Sequence, residues 1–285
     1  MCSNCGYLFY AGLYCYDKGK IRTDSGRLNE LLNRKLTDGT DSPFAVGNPD
    51  MSFQLTTTEP GFILGSGLPH GIHKDDEDFK IGFYFDHTYG LPVIPGSSVK
   101  GKIRSAFPNY NKDMSTPKYI KDIKSLWLIR LIENIDDENF IENCYSPAEN
   151  LDNQMRDYIT ELESEIFDGV RSGSSISMYD RDIFHDSVLA AGSDSMDGRI
   201  LGIDYCTPHK HKTEASLDQF SDPNPIKFLR LLPDVSFDFQ FDLKDSKIAY
   251  NGNFMTAQKK LKLFQKILIT EGLGAKTSTG YGQLV

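Results

Sequence analysis

The chain has 285 residues and a net charge of −9, with 39% hydrophobic and 25% charged residues, enough for one large domain with a real core. No run of ~18 apolar residues is present to span a membrane. Five cysteines, an odd number without a small-domain framework, argue for reduced thiols and a cytoplasmic protein, and "MCSNCGYLFYAGLYCY" has neither the basic leader nor the cleavage site of a signal peptide.

In chain order, residues 1–50 read as a helical or irregular lead-in extension whose clearest helix is "LNELLNRKL", Leu28–Leu36. Met51–Leu68 is rich in β-branched and aromatic residues and is cut by Pro60-Gly61, which predicts a strand followed by a turn. After a polar loop, "PHGIHKDDEDF", comes "GLPVIPGSSVKGKIRSAF", Gly90–Phe107. It reads as an apolar strand, a Pro-Gly turn and a short basic helix with Val99, Ile103, Ala106 and Phe107 on one face.

Two further helices are expected. One spans Tyr119–Ile132 on a stripe of Ile120, Ile123, Trp127 and Leu131, and the other spans Leu151–Ile166 on Leu151, Met155, Ile159, Leu162 and Ile166. They belong to an acidic stretch: Glu133 to Asp168 holds 12 acidic residues and one basic, Arg156, so the rest of the chain sums to +2. Such a stretch suits an insertion facing solvent or a protein partner, since like charge repels phosphate. Overall charge therefore does not exclude a nucleic-acid partner; a local patch decides.

From Ile176 the pattern turns to strand, broken by the excursion "TPHKHKTEASLDQFSDPNPI". Val235, Phe237, Phe239, Phe241 and Leu243 then alternate with polar residues as a half-buried strand. "MTAQKKLKLFQKILITEG" is an amphipathic helix, with Ala257, Leu261, Phe264 and Leu268 opposite Lys259, Lys262 and Lys266. A glycine-rich loop and a short strand close the chain. Without insertions the succession is β-α-β-β-α-β, so the predicted class is α+β. It is a ferredoxin-like (RRM-like) domain over residues 51–285, with an acidic helical insertion at about 108–170 and a hairpin excursion at about 205–226.

Gly90–Phe107 carries the strongest chemical signal. Ser97 or Ser98 is the expected N-cap, and the open amides of the first turn make an anion site. Lys100 and Arg104 flank the apolar stripe at i, i+4, with Lys102 on its other edge. Gly101 leaves room for another backbone. Gly96–Lys102 fits G-x-x-x-x-G-K, but Ile103 stands where a phosphate-loop NTPase needs a hydroxyl for magnesium, which excludes that reading. In "GLGAKTSTGYG" the glycines, Gly274 among them, let the backbone approach a ribose-phosphate chain. Lys276 adds charge, Thr277 a hydroxyl, and Tyr281 a ring to stack on a base. His209, Lys210 and Lys212 form a basic tip on the excursion. Zinc shared by Cys2, Cys5, His70 and His73 is a weak long-range alternative, so no cofactor is expected.

Together these pieces resemble the RAMP superfamily of CRISPR-associated RNA-binding proteins. "GLPHGIH", "GLPVIPGSSVKG", "GIDYCTPHK" and "PNPIKFLRLLPDVSFDFQF" are similar to the sixth-subunit family of type III-B Cmr complexes. The resemblance spans roughly Ser52–Val285, with 108–170 poorly matched. It implies one ferredoxin-like RAMP domain with a thumb-like hairpin at Pro208–Lys212. It also implies that Ser97, Ser98, Lys100 and Arg104 contact guide phosphates beside the Gly274–Gly282 loop. The implied partners are CRISPR guide RNA, complementary target RNA, and the other RAMP and small subunits of a Cmr complex, with no membrane. The family's Ile/Leu-Phe-Gly appears as Ile166-Phe167-Asp168, with Gly169 one place late. A non-catalytic subunit holding the 3′ part of the guide at the head of the assembly, in antiviral defence, is the favoured reading. The alternative is a RAMP ribonuclease cleaving guide precursor or target RNA, with His70 or His73 as general base or an acidic residue of Asp75–Asp78 in the cut.

Overall fold

In the computed structural model, which describes residues 4–17, 20–35, 48–66, 79–137, 151–193, 197–207 and 225–285, the aromatic alternation of residues 235–243 lies at the centre. Val235, Phe237, Phe239 and Phe241 are all at most 1% exposed, because an extended chain sends every second side chain to the same face.

The N-terminal residues form a hairpin of β1 (Tyr14–Asp17) and β2 (Lys20–Thr23), followed by α1 (Ser25–Leu32). Asp24 caps α1, accepting hydrogen bonds from the amides of Gly26 and Arg27. The helix thus begins and ends earlier than Leu28–Leu36 suggested. From this segment Cys5, Leu8, Phe9, Leu13 and Leu31 enter the main core, where Phe9 packs against Phe79 at 5.1 Å.

The largest sheet uses β3 (Ser52–Thr56), β5 (Val93–Ile94), β9 (Ser187–Leu189) and β12 (Ser236–Asp242) in the order β3-β12-β9-β5, every pair antiparallel. β8 (Ile183–Phe184) also pairs with β12. The chain terminus runs beside the other edge of β3, where Thr56 and Val285 exchange backbone hydrogen bonds of 2.8 and 3.0 Å. A second sheet joins β4 (Phe79–Ile81), β11 (Ile226–Leu231) and β10 (Leu201–Cys206), with β11 antiparallel to β10 and parallel to β4. Short hairpins β6–β7 (Val170–Arg171, Ser174–Ser175) and β13–β14 (Ala249–Tyr250, Asn253–Phe254) complete the strands named here. The architecture is mixed α+β with several sheets.

Four further helices are α2 (Gly96–Ser105), α3 (Lys118–Glu133), α4 (Asn153–Glu163) and α5 (Ala257–Glu271); α2 packs on β8 and α5, and α3 on α4 and α5. Helix α5 buries Leu261, Phe264 and Leu268 as its pattern predicted. Lys266, expected on the solvent face, is buried instead and donates to the carbonyls of Asn134 and Asp137. The stripe expected on α3 holds only in part: Leu131 is buried and Trp127 packs against the core. Ile123 is 60% exposed, while Leu128 and Ile129 are buried together with Lys121, which donates to the carbonyls of Asn109 and Asp113. A lysine can occupy a core-facing position when carbonyls satisfy its ammonium. From the acidic stretch, Ile135, Ile159, Leu162 and Ile166 enter the main core. Among the described residues no helix is long and apolar enough to cross a membrane.

Candidate nucleic-acid interface

Helix α2 is the element on which the predicted site depends, and its start differs from expectation. Pro95 is the N-cap with no side-chain capping bond, and Gly96 is already helical. Ser97 and Ser98 therefore lie inside the first turn with exposed side chains and cap nothing. The cap comes from the β8–β9 connection: the Gly96 amide donates to Asp186 Oδ1 at 2.7 Å. Glycine is required because a Cβ there would stand 2.2 Å from the Phe184 carbonyl oxygen. Ser98 and Val99 give their amides to the Pro95 carbonyl. The open anion site expected at this terminus is thus partly filled by the chain's own carboxylate.

The cations of α2 are partnered to different degrees. Arg104 Nη2 donates to Asp168 Oδ2 at 3.0 Å, and its Nε lies 3.9 Å from Glu163 Oε1. Lys102 Nζ lies 3.4 Å from Glu271 Oε2. Lys100 forms no ion pair among the described residues and lies 5.6 Å from the Phe184 ring centroid. Burial, with the charge of Arg104 one turn on, lowers its ammonium pKa below the usual lysine value.

Asp168 stands in a π-helical turn, Ser164–Asp168, that runs on from α4 and stops at Gly169 in the left-handed region, φ 63°. A π turn holds one residue more than an α turn. The turn leaves the Asp168 carboxylate beside Arg104.

The terminal glycine loop folds back on the sheet. Leu273 donates its amide to the Gly282 carbonyl at 2.8 Å, Gly282 to that of Gly61 at 2.9 Å, and Ala275 to that of Ile63 at 3.2 Å. Gly274 is exposed, and Thr277 sits half-buried at the start of a 3₁₀ turn. Lys276 points toward the second sheet, with Nζ 3.2 Å from Cys206 Sγ and 5.9 Å from the Phe228 ring centroid. Tyr281 was expected to offer its ring to a base. It instead packs edge-on to Phe228, and its hydroxyl donates to Asp204 at 2.6 Å. Burial and that bond push its pKa up to about 12. Tyr281 pins the loop to β10.

Helix and loop nonetheless converge. Ser98 and Lys102 line one side of a cleft of about 320 Å³, and Gly274 and Ala275 line another. Tyr84 is also in its wall and went unnoticed in the sequence. The signal was there: an exposed tyrosine between Phe83 and Phe85, which are 1% and 6% exposed. The opposing carboxylates Asp168 and Asp186 were missed because their pairing is long-range. Of the remaining expected residues, His209, Lys210, Lys212, Cys2, His70 and His73, and Asp75–Asp78, lie outside the described residues. Cys5 is fully buried, and no group of metal-binding side chains occurs among the described residues.

With this geometry in place, known proteins give it context. CRISPR system Cmr subunit Cmr6 of Pyrococcus furiosus is 25% identical, over 90% of this chain and 73% of that protein. A chain in the cryo-EM structure of type III-B Cmr-beta bound to cognate target RNA matches with a TM-score of 0.50 at 17% identity. That match covers 97% of this chain and 78% of the other. The crystal structure of Cmr6 from Pyrococcus furiosus matches with a TM-score of 0.42 at 21% identity, over 82% of this chain and 96% of that one. The RAMP superfamily profile matches residues 40–285, a span that contains both the basic helix and the glycine loop, and the chain belongs to the RAMP superfamily.

Proposed function

We propose that this chain is a non-catalytic RNA-binding subunit of a type III-B CRISPR effector ribonucleoprotein, holding the 3′ part of the guide RNA at the head of the assembly. The observation that carries the reading is the shared cleft: the exposed first turn of α2 and the glycine loop, far apart in sequence, line one concavity through Ser98 and Gly274. Ser97, Ser98, Lys100 and Lys102 supply hydroxyls and charge to the sugar-phosphate chain, and the glycine backbone allows close approach. Base pairing within the RNA supplies sequence specificity, so backbone contacts suffice from the protein. The similarity to a Cmr6 protein supports placement beside other RAMP and small subunits and a complementary target RNA.

The same reading takes residues 51–285 as a ferredoxin-like domain. The chain terminus, β3, β12 and β9 lie side by side in that order, with α2 and α5 as the two connecting helices. Residues 108–170 and the excursion at 205–226 are insertions into it.

The test is RNA affinity of the purified chain against salt. A Lys100→Ala/Lys102→Ala variant should bind single-stranded RNA at least about tenfold more weakly, with a shallower salt dependence by roughly 0.7 per lost phosphate contact. Unchanged affinity would sink the reading. Cleavage of labelled guide or target RNA that disappears in His73→Ala or Asp76→Ala would overturn its non-catalytic part.

A further inference from the structure

The cleft between α2 and the glycine loop is not built like a phosphate site. Phe62, Leu64, Ile94 and Leu273 in its wall are each at most 5% exposed, and only its Ser98–Lys102 side is polar. A phosphate gains nothing from apolar walls and loses hydration against them. A nucleotide, by contrast, combines a flat apolar base with an anionic link. The cleft has the same two-part character: an apolar slot beside a cationic, hydroxyl-bearing edge.

Tyr84 supplies the stacking surface. Phe83 and Phe85 anchor the segment after β4 in the core, and the ring between them is 42% exposed. Resting on the RNA-binding reading above, we infer that this cleft receives one unpaired nucleobase of the bound RNA, stacked on Tyr84, with the adjoining phosphate at Ser98 and Lys102. At about 320 Å³ the cleft is at the small end of ligand sites, the scale of a single base and its sugar.

The slot is tolerant of base identity. Two of the backbone donors at the slot are used within the chain, the Tyr84 amide on the Leu64 carbonyl and the Ala275 amide on the Ile63 carbonyl. Stacking and apolar contact, which every base satisfies, dominate its inner wall. A paired base has its faces covered within a duplex, so the occupant is an unpaired or displaced nucleotide.

Single-stranded RNAs carrying 2-aminopurine at successive positions test this with the full chain. One position should be quenched on binding, and the quench should be lost in Tyr84→Leu and in Ala275→Phe, which fills the slot. An abasic nucleotide there should weaken binding to the wild-type chain at least about fivefold, and Tyr84→Leu should cause no further loss with that RNA. Quenching at no position, full affinity for the abasic RNA, or equal Tyr84→Leu losses with intact and abasic RNA would each overturn the base slot while leaving RNA binding standing. A wild-type chain that binds no RNA would overturn both. The abasic arm needs no protein variant, so it decides the matter even if a substitution fails to fold.

Discussion

Asp168 accepts a hydrogen bond from the Arg104 guanidinium at 3.0 Å and lies 2.7 Å from Lys112 Nζ, so one carboxylate holds two cations at the end of the basic helix. Burial raises the Asp168 pKa, but the hydrogen bonds and charges of Lys112 and Arg104 outweigh it and hold the carboxyl below its usual range. With Asp186 on the Gly96 amide and Glu271 near Lys102, the chain's own carboxylates stand where phosphates are proposed to bind.

Asp168→Asn should therefore increase RNA affinity. The freed Arg104 and Lys112 become available to phosphate, on the scale of a partly exposed ion pair, about 0.5–1 kcal/mol or roughly two- to fivefold. Fluorescence anisotropy at low and high salt would show the gain and its screening. A loss of affinity would mean that Asp168 orients Arg104 for the RNA instead of competing with it.

Gly101 is an exposed residue inside α2, and a Cβ there would meet nothing within 4 Å. Gly101→Ala should stabilise the isolated chain by about 0.5–1 kcal/mol, because alanine loses less backbone freedom in a helix. If RNA or a neighbouring backbone lies on this face, the same variant should weaken that association. Paired thermal melts and binding titrations separate the two effects.

Lys260 is 1% exposed, with Nζ 2.6 Å from Asp182 Oδ2 and 3.7 Å from Glu165 Oε1. Glu165 also pairs with Arg171 at 2.6 Å. Lys260→Met should cost about 3–5 kcal/mol, because it strands the Asp182 carboxylate in the interior. Adding Asp182→Leu should recover part of the loss, read as a shift in urea midpoint at unchanged slope.

Glu163 and Asp168 should give opposite pH signatures. Burial raises the Glu163 pKa against the opposing Asn109 amide, and its Oε1 has no hydrogen-bond partner. A folded-state pKa above the unfolded value makes its contribution greatest below the ordinary carboxylate range and smaller as pH rises through the raised value. Asp168, held low, contributes above that range and loses its contribution as pH falls through its folded value. Relative to wild type, Glu163→Gln should gain stability from acid toward neutral pH, and Asp168→Asn should lose it. Urea titrations across that interval check both signs.

Much of this was readable in the sequence where structure is local. The alternation of 235–243 predicted the central strand because period two leaves few other ways to bury four aromatic and aliphatic side chains. The 3.6-residue spacing in α5 predicted its buried face for the same reason. It missed the burial of Lys266 in α5, and on α3 the same spacing missed that of Lys121, where main-chain carbonyls accept the lysine ammonium groups. Ser97 and Ser98 looked like caps because serine usually is one. Gly96 fits closely against Phe184 and His185, the helix starts earlier, and Asp186 caps it from the β8–β9 connection.

The sequence by itself determined the central strand, the basic helix α2 and the amphipathic C-terminal helix α5, and it placed charge, hydroxyls and glycines in two motifs. The tertiary structure alone decided that those motifs share a cleft, that Tyr84 lines it, and that Asp168, Glu271 and Asp186 stand at or near their cations and amide. Periodicity is a property of neighbouring residues, whereas an ion pair or a cleft depends on which distant surfaces the packed core brings within a few ångströms.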